Sequence, residues 1–113
     1  MAIKLYGIAN CDKVRAARRW FSSHAIDVGF HDYKKHGVDA SALNRWLKQH
    51  EWSDLINRSG TTWQSLSDER RAAITSKAEA VKAMTELPSL IKRPVIEHDG
   101  NVSIGFDPLL FRG

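Results

Sequence analysis

A single cysteine, Cys11, is all the thiol chemistry this 113-residue chain carries. An internal disulfide is therefore excluded, and such usage points to a reducing compartment. No apolar run approaches the ~18 residues that a membrane-spanning helix needs, and residues 1–7 are too short and too polar for a secretion signal. The expectation is a cytoplasmic, soluble protein without membrane association. His24, His31, His36, His50 and His98 show no metal-ligand spacing, so no metal site is expected. A G-x-S-x-G elbow and a phosphate-cradling glycine loop are also missing. There are no repeats, low-complexity tracts or linkers.

What is present suits one packed domain over residues 1–113, expected as a monomer. The hydrophobic content of 42% is ordinary. Seventeen basic residues against thirteen acidic ones give a formal charge of +4. The basic residues are dispersed, from Lys13, Arg15, Arg18 and Arg19 to Lys92 and Arg93, as on a solvated surface. Nucleic acid is therefore a disfavoured partner. Trp20, Trp46, Trp52 and Trp63 are scattered, which fits core packing better than base stacking.

Hydrophobic periodicity orders the chain. Ile3 and Leu5 alternate with Ala2 and Lys4 up to Gly7, as in a short strand. From Asp12 the period changes: Val14, Ala17 and Phe21 mark the buried face of an amphipathic helix ending near His24. Val28 to Tyr33 reads as a second strand, completing a βαβ unit. The middle is helical, over about residues 39–90. Asp39 or Ser41 caps DASALNRWLKQH, and LINRSGTTW is a loop broken by Gly60. Ser67 caps LSDERRAAI, Ser76 with Glu79 forms a capping box, and Pro88 closes the region. Val95 to His98, the pair Asp99-Gly100 and the alternation Val102, Ile104, Phe106 read as a hairpin. DPLLF opens a last helical turn, with Asp107 as cap and Pro108 in its first position.

A βαβ unit, a helical insertion between strands 2 and 3, and a C-terminal β-hairpin make the α/β thioredoxin-like fold. In that topology the loop after the first strand delivers Cys11 to a helix N-terminus. Unsatisfied amides there favour a thiolate, and Lys13 and Arg15 are expected to add positive charge. A free cysteine is more often a small buried hydrophobe. Its position favours the reactive reading here.

The pattern LYGIANCDKVRAAR, followed far downstream by IKRP, resembles the arsenate reductase (ArsC) family. Within that family it is most similar to the small YffB-like branch and to its relative Spx. The likeness runs from Ile3 to Phe111 and implies a thioredoxin-like fold with a redox-active Cys11. It also implies glutathione, or another small thiol, as co-substrate, with glutaredoxin a candidate partner and no bound cofactor. The function implied is a glutathione-dependent thiol–disulfide oxidoreductase. The alternatives are an Spx-like regulatory adaptor that binds RNA polymerase and a true arsenate reductase.

The resemblance also assigns residues. Pro94 is implied to be cis and to face the cysteine, leaving the backbone before it to pair with an extended thiol peptide; otherwise it merely opens a strand. Arg58 and Arg93 match two of the family's three anion-binding arginines, and the third matches Asp107. Arg15 orients the cysteine loop or is a solvated helix residue, and Asn10 lines the pocket or serves the loop. Three residues after the reactive cysteine the family has serine, or in Spx a second cysteine, where this chain has Val14. Four residues before it, arsenate reductases have histidine, where this chain has Gly7. The resolving thiol must then come from outside, and Asp107 would repel an oxyanion.

Overall fold

The computed structural model describes residues 2–111, which form two compact units. The first holds the described residues up to Tyr33 and from Arg93 onward, and the second is Lys34–Lys92.

The first unit is built on a four-stranded sheet in the order β2-β1-β3-β4. Strand β1 is Ile3–Gly7, β2 is Gly29–Asp32, β3 is Val95–His98 and β4 is Asn101–Ile104. β2 runs parallel to β1, with Gly7 opposite Asp32, while β3 pairs antiparallel with β1, Leu5 opposite Ile96. This is the thioredoxin-like arrangement. The parallel pair needs a crossover, and helix α1, Asp12–Ser23, supplies it. Val14, Ala17 and Phe21 are its buried residues, at the spacing the sequence shows. They pack with Ile3, Leu5, Ile96 and Phe111 in one core, edged by Trp20 and Phe106. Phe21 meets Phe111 edge-on with ring centroids 4.9 Å apart.

On β1 and β3, the Tyr6 hydroxyl donates to Glu97 Oε1 at 2.7 Å. Both Asp99 (φ 49°) and Gly100 (φ 79°) adopt the left-handed conformation that a two-residue hairpin turn requires. The Arg93–Pro94 peptide bond leading into β3 is cis, as the resemblance implies. The unit ends in a 3-10 turn, Pro108–Phe111, where the Asp107 carboxylate accepts from the Leu109 amide at 3.0 Å.

Sequence and structure differ after β2. Tyr33 does not continue the strand but opens a helical turn, α2, Tyr33–His36. Four short helices and one longer one follow. They are α3 (Ala40–Trp46), α4 (Trp52–Leu55), α5 (Thr61–Gln64), α6 (Asp68–Ala73) and α7 (Lys77–Glu86), closed by a 3-10 turn at Pro88–Leu90. The stretch expected as a loop around Gly60 therefore contains α5, and its start is held by a bridge between Ile56 and Ile91. Around that bridge the Asn57 amide donates to the Leu90 carbonyl, and the Lys92 amide to the Leu55 carbonyl. Those partners lie far apart in sequence, so no local pattern announces them. The expected caps do form. Asp39 accepts from the Ala42 amide, Ser67 from that of Arg70 and Ser76 from that of Glu79. Buried Leu43 and Trp46 of α3 and Ala80, Ala83 and Met84 of α7 supply much of this unit's core. Among the described residues, no helix is long and apolar enough to cross a membrane.

Candidate thiol site

β1 ends at Gly7, and a four-residue loop carries the chain to α1. Cys11 is the N-cap of that helix, with extended backbone (φ −112°, ψ 130°). Its amide donates back to the Ile8 carbonyl at 3.2 Å, and its carbonyl accepts from the Arg15 amide at 2.9 Å. The thiol is partly exposed and makes no capping hydrogen bond of ordinary geometry. Even so, its surroundings favour the thiolate. Partial burial pushes the pKa up, but the amides of Val14 and Lys13, then the Arg93 guanidinium by hydrogen bond and by charge, together bring it below the ordinary cysteine value.

The source of the positive charge differs from the sequence expectation. Lys13 acts through its backbone amide, and the cation at the sulfur is Arg93. Arg15 is occupied elsewhere. Its guanidinium donates to Asn10 Oδ1 at 2.7 Å and is paired with Asp12. One side chain thus links the residues on either side of Cys11. The free amides at a helix start point out of its end toward the N-cap residue, so Lys13 reaches the sulfur through its backbone, and Arg15 is held by Asn10 and Asp12. Asn10 and Arg15 brace the loop.

Of the six residues singled out from sequence, five lie in this unit. Cys11, Arg93 and Pro94 form one group, with Arg93 reaching the sulfur and Pro94 joined to it by the cis bond. Asn10 and Arg15 form the brace. Arg58 belongs to the other unit, where its guanidinium carbon lies 5.7 Å from the centre of the Trp63 ring. Among the described residues, no group of three or more histidine, cysteine, aspartate or glutamate side chains is placed to hold a metal.

Two features went unseen in the sequence. The first is a contact: a Cβ built on Gly7 would lie 2.6 Å from Val14 Cγ2 and 3.6 Å from Arg93 Cβ. Two of the three positions at which the chain departs from the arsenate reductase pattern therefore adjoin in space, and Val14 occupies the room that a side chain at position 7 would need. The second is Tyr33. It is 1% exposed, and among the described residues its hydroxyl has no hydrogen-bond partner.

The ArsC family profile matches residues 6–112. The chain belongs to the ArsC family. Among solved structures of this family, the YffB protein is 40% identical, with a TM-score of 0.90 over 97% of this chain and 96% of its own. An ArsC-related protein from Brucella melitensis is 45% identical, with a TM-score of 0.76 over 98% of this chain and 92% of that one. The global transcriptional regulator Spx 1 of Lactococcus lactis is 29% identical over 93% of this chain and 82% of its own length. The proteins similar to this chain thus include one named for arsenate reductase and one named for transcriptional control.

Proposed function

We propose that this protein is a glutathione-dependent thiol–disulfide oxidoreductase in which Cys11 is the nucleophile. One observation carries the reading: the Cys11 sulfur stands at the start of α1 with two helix amides and the Arg93 guanidinium favouring its thiolate. Thiolate is the attacking species, and a moderately lowered pKa raises its fraction without greatly blunting its nucleophilicity. Because the chain has one cysteine, its oxidised form must hold the partner thiol.

The cycle has two exchanges. Cys11 thiolate attacks the glutathione sulfur of a mixed disulfide; the S–S bond breaks, and the substrate leaves as thiolate. A second glutathione thiolate then attacks the glutathione sulfur on Cys11, forming glutathione disulfide and returning Cys11 as thiolate. Together the two exchanges turn the mixed disulfide and one glutathione into the substrate thiol and glutathione disulfide, so the incoming glutathione is the reductant. Arg93 favours the attacking thiolate in the first exchange and the leaving one in the second. Arsenate is a poorer fit. Asp107 stands where the family places its third arginine, and a carboxylate opposes an arsenate dianion.

The test is exposure of the reduced protein to glutathione disulfide, followed by intact mass measurement. One glutathione adduct on Cys11, removed by added glutathione, is the expected outcome. A wild-type protein that forms no adduct under conditions that modify a free thiol overturns the reading. Relatedness to Spx supports a second reading, an adaptor for RNA polymerase with Cys11 as a redox switch. Binding of purified RNA polymerase, without glutathione exchange, would favour it.

A further inference from the structure

β1 and β2 are parallel, so their carboxyl ends lie side by side, with Gly7 opposite Asp32. The cysteine loop leaves from one end and Tyr33 from the other. In folds of this kind, ligands meet the protein beyond the carboxyl ends of parallel strands. A Cβ added at Gly7 would lie 3.6 Å from Arg93 Cβ, which places the root of that arginine at the same end of the sheet. Arg93 reaches the Cys11 sulfur, and its charge bears on the Tyr33 hydroxyl as well.

That hydroxyl is the anomaly. It is buried and, among the described residues, finds no hydrogen-bond partner, a state that folded proteins seldom tolerate without a use. A strand end can bury an aromatic ring just as well with phenylalanine, so packing alone does not explain the oxygen. An anionic oxygen beside the phenol would give its hydroxyl an acceptor, and the guanidinium charge would favour the anion there.

We infer that Tyr33 is a specificity-determining residue whose hydroxyl, together with Arg93, receives an anionic oxygen of the molecule that meets Cys11. The inference deepens the thiol–disulfide reading and rests on Cys11 being the point of reaction. The oxygen belongs to a carboxylate on the thiol ligand or to a free oxyanion; the recognition chemistry is the same. Burial holds the phenol's pKa well above the ordinary tyrosine value; Arg93 pulls it down and Tyr6 adds to the rise. Tyr33 therefore remains a donor wherever the Cys11 thiolate operates.

Two alkylating agents of similar size probe the site. Iodoacetate carries a carboxylate and iodoacetamide a neutral amide, and each transfers its carbon to sulfur with loss of iodide. Their rate ratio at Cys11 cancels any change in thiolate fraction. In the wild type the ratio should exceed that of a small free thiol, and in Tyr33→Phe it should fall severalfold. An unchanged ratio in Tyr33→Phe overturns the inference, as does a wild-type ratio no higher than that of the free thiol; the second measurement needs no variant. Thermal unfolding of Tyr33→Phe is expected at or above the wild-type midpoint, since the hydroxyl has no partner to lose.

Two further arms locate the oxygen. Sulfate that slows iodoacetate in the wild type and not in Tyr33→Phe identifies a free-oxyanion site. Faster exchange with glutathione disulfide than with its esterified form, lost in Tyr33→Phe, identifies the ligand's own carboxylate. Discrimination in neither arm overturns the inference. A falling alkylation ratio with no glutathione adduct would leave Tyr33 in place and remove the glutathione reading instead.

Discussion

Helix α1 and three helices of the inserted unit begin in opposite ways, while α4 and α5 start without a side-chain cap bond. Those three, α3, α6 and α7, start on an oxygen cap: Asp39, Ser67 or Ser76 accepts from the amide three residues on. α1 starts on Cys11, which makes no cap bond. Its first amides instead act on the sulfur, together with an arginine from the other end of the unit. An oxygen cap adds on the order of 1 kcal/mol to a helix. At Cys11 that stabilisation is forgone, and the same amides favour a reactive thiolate.

The largest test of this contrast is Cys11→Ser, which gives α1 the kind of start that α7 has. Thiol chemistry disappears entirely, with no alkylation and no glutathione adduct. Stability should rise by on the order of 1 kcal/mol in urea unfolding as the hydroxyl takes up an amide. A less stable Cys11→Ser protein would mean the sulfur contributes more than an oxygen cap does.

Gly7→Ala comes next. Its new Cβ would stand 2.6 Å from Val14 Cγ2, and overpacking of this kind costs about 1–3 kcal/mol. Adding Val14→Ala should recover part of the loss, and a double-mutant cycle measures the coupling. Additive losses would mean that the two positions relax independently.

Ser76→Ala should remove about 1 kcal/mol and leave the rate of Cys11 alkylation as it is. A change in that rate would show that the cap of α7 reaches the thiol.

The smallest effect is on pH. Alkylation by iodoacetamide should reach half its maximal rate below the ordinary cysteine value, and Arg93→Ala should move that midpoint upward only in part, because the amides of Val14 and Lys13 weigh more. A midpoint that does not move would remove Arg93 from the thiolate's field. The sign for stability follows by linkage. The folded thiol has the lower pKa, so its contribution is complete above the unfolded value and is lost as pH falls through the folded one. Cys11→Ala should abolish that slope.

Local features were legible in the sequence. The 3.6-residue period of Val14, Ala17 and Phe21, the left-handed pair Asp99-Gly100 and the Ser76 cap all depend on residues within a turn or two of one another. The cysteine at a helix start was legible for the same reason. What escaped depends on residues brought together only by the sheet or the bridge. Basic residues beside Cys11 in sequence looked like its counter-charges, but Arg15 is held by Asn10 and Asp12, and the cation at the sulfur enters with β3. The Ile56–Ile91 bridge and the stranded hydroxyl of Tyr33 leave no periodic trace.

The contact between Gly7 and Val14 also constrains ancestry. A route between this site and one with histidine at position 7 and serine at position 14 passes through one of two single-step intermediates. Enlarging position 7 first drives a side chain into Val14, whereas trimming position 14 first opens the space beforehand. Only the second order avoids an overpacked intermediate. The departures at positions 7 and 14 therefore form one epistatic pair, and the contact favours one of the two intermediates over the other.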